Sequence, residues 1–553
     1  MRTNGRRIAL VLGAVLLCAV AGVTGQTIGI TSEIVESAEK IIGLVFTPAE
    51  RDSMLDDLSA NLQSYERVRG VVLDNSVPPA LGFDPLPVGW KPPVKKSRFE
   101  LGRPRAAVVP SRPEDLAFYT VRDLGDLIRT RKITSTELTK LCLARLKEHG
   151  PKLECVITLT ENLALRQAAR ADEEISAGKY RGPLHGIPYG AKDLLAVSGY
   201  RTTWGAMPYK DQVIDRDATV VRKLEEAGAV LVAKLTVGAL AWGETWYGGM
   251  TRNPWNLEEG SSGSSAGSSA ATAAGLVPFA IGTETWGSIV SPATRCGATG
   301  LRPTYGRVSR TGAMALSWSM DKIGPICRSV EDCAIVFRAI QGPDGIDASV
   351  IDVPFEYRGR ADLKRVRVGF VKSLFEQEYE EKAQDDETLR ALEGLGARLV
   401  PIELPDYPVE SLAFILSAEA AAAFDELTRS NRDDLMVRQI KNAWPNVFRT
   451  SRFIPAVEYI NANRVRYKLV QEMARVMSEV DVYVAPTFGG DNLLLTNLTG
   501  HPCVVLPNGF DEKGSPVSIT FVGRLFDEGT LLAVAKAYQD ATGFHLKHPP
   551  LFQ

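Results

Sequence analysis

Residues 258–290 have the sequence EEGSSGSSAGSSAATAAGLVPFAIGTETWGSIV, in which a serine- and glycine-rich run continues directly into apolar residues. The first fourteen of these residues include six serines. A run of this composition is most often a flexible, solvated linker. The alternative is a loop whose serines do chemistry, and such a loop needs buried support. The apolar segment AATAAGLVPFAIG (270–282) can supply that support, so the sequence favours a structured loop.

Residues 263–267 (GSSAG) also fit the G-x-S-x-G pattern, which would make Ser265 the nucleophile of an α/β-hydrolase-like serine esterase. That pattern follows a buried strand and is completed by a downstream acid and histidine. The preceding residues TRNPWNLEEGSS are polar and turn-like, and His501, His545 and His548 have no distinctive context. A five-residue match to this pattern also arises easily by chance in a run rich in serine and glycine. The esterase is therefore kept as an alternative.

Four separated motifs give a more specific signal. GPLHGIPYGAKDLLAV comes first, the serine-rich run follows, and GTETWGS and GLRPT complete the set. In this order they resemble the amidase signature family, whose motifs are G-x-P-x-x-x-K-D, G-G-S-S-G-G-S, G-T-D-x-G-G-S and G-L-K-P-T. The resemblance extends from about Ser111 to Phe544. It implies an α/β/α sandwich, with a central mixed β-sheet covered by helices, and an enzyme that hydrolyses a carboxamide C–N bond.

Carried over position by position, the resemblance implies three catalytic side chains. Lys192 matches the family's catalytic lysine and Ser288 matches its nucleophile. Ser264 matches the bridging serine, which the family holds with a cis peptide bond. The resemblance also implies that the main chain of the nucleophile turn forms the oxyanion hole, through Thr285, Trp286, Gly287 and Ser288.

The chemistry explains why a lysine would be used. A serine hydroxyl is a weak nucleophile until a base takes its proton. Lysine can be that base only as the neutral amine, so its pKa of about 10.4 must fall by roughly 3 units, about 4 kcal/mol, through burial. Lys192 lies in IPYGAKDLLAV, which is apolar on both sides. For this segment alone, a surface lysine beside Asp193 is the competing interpretation, with Asp193 a structural hydrogen-bonding residue.

Three positions depart from the family pattern. Trp286 stands where glycine is usual, Glu284 where aspartate is usual and Val290 where arginine is usual. Trp286 is a candidate substrate-binding residue that would narrow or stack over the acyl pocket, and simple packing is the alternative. The other two changes put the family's local Asp/Arg salt bridge in doubt. The remaining pocket walls are expected from residues 315–320 and from helices between about 415 and 475.

The architecture follows from the pattern of apolar residues. From about residue 111, helical segments alternate with short β-rich runs such as RVRVGFV, DVYVAPT and CVVLPNGF, which predicts an α/β domain over residues 111–553. Residues 26–110 are predicted to form an N-terminal helical extension that ends in a proline-rich strap. TPAE (47–50) is typical of a capping box with proline at the first helical position.

The N-terminus resembles an export signal. Arg2, Arg6 and Arg7 precede the apolar run IALVLGAVLLCAVAGV, and small residues follow near residues 23–25. The run is shorter than the ~20 residues of a membrane span. We predict a signal peptide at residues 1–25 and a periplasmic or secreted protein without stable membrane insertion. An uncleaved signal that anchors the chain is the alternative.

Composition limits the partners and cofactors. The formal net charge is −2 and no dense Lys/Arg cluster occurs, so neither nucleic acid nor an anionic membrane surface is indicated. Five histidines without metal-binding spacing predict no metal, and no cofactor is expected. The cysteines after the signal are sparse, which predicts buried free thiols, with one disulfide conceivable. The expected partner is a small amide, and a homodimer is left open.

The main hypothesis is an exported amidase that uses Ser288, Ser264 and Lys192 through an acyl-enzyme. Two further alternatives accompany the esterase. One is the glutamine-hydrolysing A-type subunit of a tRNA-dependent amidotransferase, which resembles the chain closely but acts in the cytoplasm with partner subunits. The other is a non-catalytic binding protein on an amidase scaffold, which the Trp286 and Val290 departures suggest.

Overall fold

The computed structural model describes residues 29–71, 98–102 and 107–553. The predicted signal peptide and most of the proline-rich strap lie outside these residues. Contacts within the chain define two compact units, one ending at Ala60 and one extending from Asn61 to Gln553. The domain boundaries at residues 25 and 110 stay predictions.

The described part of the chain contains helices and strands in alternation. Its α-helices are α1 (Ser32–Ile42), α2 (Pro48–Arg69), α3 (Val121–Arg129), α4 (Ser135–Leu153), α5 (Glu161–Ser176), α6 (Thr219–Glu226), α7 (Ala266–Ala273), α8 (Val290–Cys296), α9 (Val330–Ile340), α10 (Lys372–Phe375), α11 (Lys382–Gly394), α12 (Phe414–Ala423), α13 (Asp425–Arg429), α14 (Trp444–Ser451), α15 (Ala456–Glu479), α16 (Asn492–Leu498) and α17 (Glu528–Thr542). Its strands are β1 (Phe99–Glu100), β2 (Val156–Leu159), β3 (Pro188–Lys192), β4 (Val230–Leu235), β5 (Thr245–Trp246), β6 (Gly249–Met250), β7 (Arg252–Asn253), β8 (Asn256–Gly260), β9 (Phe279–Glu284), β10 (Thr299–Arg302), β11 (Lys322–Cys327), β12 (Tyr357–Arg358), β13 (Arg367–Val371), β14 (Arg398–Ile402), β15 (Val482–Pro486), β16 (Cys503–Phe510) and β17 (Pro516–Gly523).

Eleven strands form one mixed sheet in the order β14-β13-β15-β17-β16-β10-β11-β9-β3-β4-β2. The pairs β14–β13, β13–β15, β9–β3 and β3–β4 are parallel, and the remaining neighbours are antiparallel. The other strands form three small two-stranded sheets. The predicted α/β class with a mixed central sheet covered by helices is confirmed.

Both faces of the sheet are covered, as β15 illustrates. Successive side chains of a strand point to opposite faces. Val482 and Val484 pack into one buried cluster, whereas Tyr483 and Ala485 pack into another. A strand buried on both faces needs a nearly continuous apolar run. This requirement explains sequences such as VYVAP in β15 and CVVL in β16.

The sheet topology also places the serine-rich loop. Strands β3 and β9 are parallel neighbours, with Ala191 in register with Ile281. Their carboxyl ends therefore meet at one edge of the sheet, where β3 ends at Lys192 and β9 leads into the turn at 285–288. Helix α7 begins inside the serine-rich run, at Ala266, and is buried along its length. The run is a structured loop with buried support, and the linker interpretation is wrong.

The N-terminal residues also follow the sequence pattern. Helix α2 begins at Pro48, as predicted. Thr47 N donates to Glu50 Oε2 over 2.7 Å, and Glu50 N donates to Thr47 Oγ1 over 3.3 Å, so the capping box is present. Within residues 29–71, 98–102 and 107–553, no helix is both long and apolar enough to cross a membrane. The described cysteines are all free and buried: Cys142, Cys155, Cys296, Cys327, Cys333 and Cys503.

Candidate active site

Lys192 is fully buried at the end of β3 and is surrounded by hydroxyl groups. Its Nζ lies 2.8 Å from Ser264 Oγ, 3.0 Å from Ser265 Oγ and 2.8 Å from Thr283 Oγ1. The structure thus brings Lys192 and Ser264 into direct contact, as the sequence predicted. The competing interpretation of Lys192 as a surface lysine is wrong, because none of its surface reaches solvent.

Burial lowers the pKa of Lys192 well below its usual value. The nearby carboxyl groups of Asp321 and Glu284 oppose this shift, but desolvation of the ammonium is the larger effect. The three contacting hydroxyls are neutral, so no anion is in hydrogen-bond contact with the amine. This environment favours the uncharged form, in which a lysine can accept a proton.

Ser264 follows a cis peptide bond, Gly263–Ser264, as the resemblance implied. Its carbonyl oxygen accepts a hydrogen bond from Gly238 N at 3.3 Å. A Cβ at position 263 would lie 1.9 Å from Gly243 O, so the close backbone approach requires glycine there. The loop is fixed against the segment 238–243, and Ser264 has no exposed surface.

The sequence analysis missed Thr283, and it considered Ser265 only as the nucleophile of the esterase alternative, not as a contact of Lys192. Ser265 Oγ donates to Thr283 O and accepts from Thr283 N, both over 3.1 Å, while Lys192 contacts both side chains. Ser265 therefore bridges the serine loop to β9. Thr283 lies in GTETWGS, but only the parallel pairing of β9 with β3 brings it to Lys192.

Ser288 lies between β9 and α8 and is 8% exposed. Its carbonyl oxygen accepts a hydrogen bond from Ser265 N over 3.1 Å, which ties the turn at 285–288 to the serine loop. Its hydroxyl has no hydrogen bond to Ser264 or to any other described residue. In sites without substrate, the hydrogen bonds of proton transfer are often long and tighten on binding. The structure joins Ser288 to the site through the main chain.

The turn at 285–288 leaves its N–H groups available. None of the backbone N–H groups of Thr285, Trp286, Gly287 and Ser288 donates a hydrogen bond within the described residues. Gly287 has a φ of +85°, a conformation that side-chain-bearing residues rarely adopt. Unpaired N–H groups beside a nucleophile are what an oxyanion hole requires.

A buried ion pair holds this turn. Glu284 Oε2 accepts hydrogen bonds from the N–H groups of Ile289 and Val290, at 2.8 and 2.9 Å. Its Oε1 lies 2.7 Å from Arg302 Nη1, and both side chains are fully buried. Burial is the largest single effect and raises the pKa of Glu284, but Arg302 together with the hydrogen bonds from the Val290 N–H and the Asn497 side chain lowers the pKa to about 2. The doubt about a local salt bridge is resolved: the partner is Arg302, at the lysine position of the family's G-L-K-P-T motif.

Replacing Arg302 by methionine is expected to destabilise the fold by about 3–5 kcal/mol, because it leaves the Glu284 carboxylate buried without its cation. The measurement is the free energy of unfolding in urea at neutral pH. The double variant Glu284→Gln with Arg302→Met is the control, since it removes both charges. It should lose less stability than Arg302→Met alone, and an equal or larger loss would contradict the assignment of the effect to the unpaired charge.

Asp193 and His501, which the sequence analysis also considered, make hydrogen bonds of a structural kind. Asp193 Oδ1 lies 2.7 Å from Lys234 Nζ, and Asp193 Oδ2 accepts from Thr203 N over 2.8 Å, so Asp193 is part of a buried network. His501 Nδ1 lies 2.8 Å from Thr499 Oγ1, and burial lowers the pKa of His501 to about 3. His501 therefore lacks the contacts of a general base for Ser265, and β8, upstream of the loop, is only partly buried.

Two cavities share Trp318 in their walls, and the inner one borders the site. The inner cavity, of about 240 Å³, borders Thr283 and Thr285 and is lined in part by residues 313–316. The outer cavity, of about 840 Å³, lies against α12 and the start of α15. Trp286 is 44% exposed and lines neither of them, so its predicted role in substrate binding has no support from this geometry.

Comparison with known proteins identifies the protein family that the chain resembles. The family model described as Amidase matches residues 137–495. The A-type subunit of the glutamyl-tRNA(Gln) amidotransferase of Geobacter metallireducens is 35% identical over 479 residues, which cover 78% of this chain and 99% of the relative. The corresponding protein of Carboxydothermus hydrogenoformans is 33% identical over 486 residues, covering 79% and 100%.

Solved structures give a similar result. The native peptide amidase from Stenotrophomonas maltophilia has a TM-score of 0.71 at 30% identity, over 80% of this chain and all of that chain. An amidase family protein from Bacillus anthracis has a TM-score of 0.70 at 28% identity, over 79% and 93%.

Proposed function

Because the chain belongs to the amidase signature family of amidohydrolases, we propose that it hydrolyses a carboxamide C–N bond through Ser288, Ser264 and Lys192. The observation that carries the proposal is the contact of 2.8 Å between the buried Lys192 Nζ and Ser264 Oγ. A fully buried lysine is usually paired with an opposite charge, whereas the hydrogen-bond partners of Lys192 are neutral. A stabilising role would favour a carboxylate partner.

In the proposed reaction, Ser288 Oγ attacks the amide carbon and its proton passes through the Ser264 hydroxyl to the neutral amine of Lys192. The C–O bond forms as the carbonyl π bond becomes an oxyanion. Collapse of this intermediate breaks the C–N bond, and the proton returns from Lys192 to the leaving amine. Water then attacks the ester of Ser288, again with Lys192 as base, and releases the carboxylic acid.

The oxyanion is proposed to bind to the N–H groups of the turn at 285–288. Each such donor contributes ~3 kcal/mol of transition-state stabilisation when it is aimed in advance. Glu284 accepts hydrogen bonds from the N–H groups of Ile289 and Val290, which fixes the direction of the turn. The N–H groups of the turn therefore need not reorganise during the reaction.

A serine-directed fluorophosphonate probe tests the proposal. The folded protein is expected to carry one adduct, on the peptide that contains Ser288, and mass spectrometry of that peptide locates it. Protein unfolded in urea is the control and should not react, because the relay that activates the hydroxyl is then absent. An adduct on Ser265 would instead support the esterase, and absence of any adduct would support the non-catalytic binding protein.

We also propose that the chain is exported. The arginines and the apolar run of residues 2–23 support this location. Fractionation of a cell that expresses the full chain, with N-terminal sequencing of the product, tests it. A processed N-terminus near residue 25 outside the cytoplasm is expected, and an intact N-terminus in the cytosol would contradict it. An intact N-terminus in the membrane fraction would support the anchor.

A second candidate function is that of the A-type subunit of an amidotransferase. The relatives from Geobacter metallireducens and Carboxydothermus hydrogenoformans have that name and match over nearly their full length. The candidates differ in substrate and in partners. Purified chain that hydrolyses glutamine in preference to other amides, and gains activity from added partner subunits, would favour this second candidate. Hydrolysis of a wider amide panel by the chain alone would favour the amidase.

A further inference from the structure

Trp318 occupies an unusual position beside the site. It lines both the inner and the outer cavity, although the residue is 50% exposed. An exposed indole in a cavity wall leaves apolar surface in water unless a ligand covers it. We therefore consider what holds this ring and what each cavity could receive.

The backbone of Trp318 is held from one side by two donors. Its carbonyl oxygen accepts from Tyr305 OH and from Arg310 Nη1, each over 2.6 Å. Arg310 is itself paired with Asp347 at 3.2 Å. These bonds fix the peptide that follows the ring.

A buried carboxylate holds the backbone from the other side. Glu419, on α12, accepts from Ser317 Oγ over 2.7 Å, from Ser319 N over 3.0 Å and from Ser319 Oγ over 2.7 Å. Tyr459 OH donates to the same carboxylate over 2.9 Å. The segment that carries Trp318 is therefore rigid, and binding sites gain precision from side chains on rigid backbone.

The outer cavity has an apolar wall that lies beside the charged side chains of Asp425 and Arg452, which pair with each other. Helix α12 contributes Ala418, Ala421 and Ala422, whose small side chains leave the space open, and the aromatic rings of Tyr305 and Tyr459 complete the wall with Trp318. Aromatic rings in such a wall provide large apolar contact area with little conformational freedom to lose. A bulky apolar or aromatic group is the ligand that this lining fits.

The inner cavity is smaller and adjoins the reacting groups. Thr283, which contacts Lys192, and Thr285, which belongs to the nucleophile turn, both line it. Its volume of about 240 Å³ limits what can enter. A cavity of ~150 Å³ holds one benzene ring, so this one has room for a single compact group.

We propose that Trp318 determines substrate specificity by dividing the substrate site. The preferred substrate is an amide with a compact group on one side of the C–N bond, held in the inner cavity, and a bulky apolar group on the other side, held against Trp318 in the outer cavity. This proposal rests on the proposed function, since it assigns the two ends of the amide that Ser288 cleaves.

The test compares amides in two series. One series enlarges the acyl group from acetyl to phenylacyl on a constant amine, and the other enlarges the amine from ammonia to an arylamine on a constant acyl group. In the series whose variable group faces the outer cavity, Trp318→Ala is expected to lower kcat/KM for the bulkiest member at least tenfold, mainly through KM. Compact amides should change less than threefold, and Trp318→Phe should restore most of the loss.

A second variant tests the outer cavity without changing Trp318. Ala422 is exposed on α12 and lines the outer cavity, so Ala422→Leu should reduce the space and again lower kcat/KM for bulky amides selectively. Ala60→Leu, the same change at an exposed alanine of α2 that lines neither cavity, is the matched control and should have no effect.

The outcomes separate the two proposals. If Trp318→Ala and Ala422→Leu change kcat/KM for bulky and compact amides by the same factor in both series, the division of the site is wrong, whereas amide hydrolysis stands. If Ser288→Ala still hydrolyses bulky or compact amides, the proposed function itself is wrong, and the division of the site falls with it.

Discussion

Replacing Ser288 by alanine is expected to lower kcat for amide hydrolysis by about 10⁵–10⁶-fold, the scale on which serine hydrolases lose activity when their nucleophile is removed. The acyl-enzyme route disappears, and only transition-state binding by the turn at 285–288 remains. The measurement is product formation from a primary amide and from an anilide, with enough enzyme to detect the residual rate.

Ser291→Ala is the matched control for this change. Ser291 lies in α8, one turn after Ser288, and its hydroxyl contacts neither Lys192 nor Ser264. It should retain activity within a few-fold of the wild type, with an unchanged unfolding midpoint. A Ser288→Ala protein that keeps more than a hundredth of the wild-type rate would contradict a covalent route through Ser288.

Much of the fold follows from local sequence. Strands such as VYVAP and CVVL are continuous apolar runs of strand length, and the helices between them have amphipathic spacing, so the α/β class is predictable. The strand order is not predictable in this way. β10, at residues 299–302, lies between β11 and β16, and β16 begins some two hundred residues later. Pairing between such distant segments depends on tertiary packing, which no local pattern encodes.

Two of the three predicted catalytic side chains lie in contact where their motifs place them. Lys192 and Ser264 stand at motif positions, and the structure brings them into contact. Arg302 was missed as the partner of Glu284, although GLRPT contains it, because the contact crosses from β10 to the end of β9. Trp318 was included only as part of a wider segment, since no motif indicates that a side chain lies between two cavities.

Replacing Lys192 by methionine is expected to lower kcat/KM by about 10²–10⁴-fold, the range that a general base contributes. Methionine fits the buried site in length and cannot accept a proton. His501→Gln is the control, because it keeps a polar group for Thr499, and it should stay within a few-fold of the wild type. If the histidine change abolishes turnover and the lysine change does not, the Ser-Ser-Lys mechanism is wrong.

The same variant tests whether Lys192 is uncharged, through the pH dependence of stability. Burial lowers the folded-state pKa of Lys192, whereas the unfolded value is about 10.4. Between these two pKa values the unfolded chain binds more protons than the folded chain, so wild-type stability gains with rising pH. Lys192→Met lacks this titration. The difference in free energy of unfolding, wild type minus variant, should therefore increase from roughly pH 8 to pH 10. A difference that stays constant over that window would mean that Lys192 remains an ammonium in the fold, and the amine could then not take the proton from Ser264.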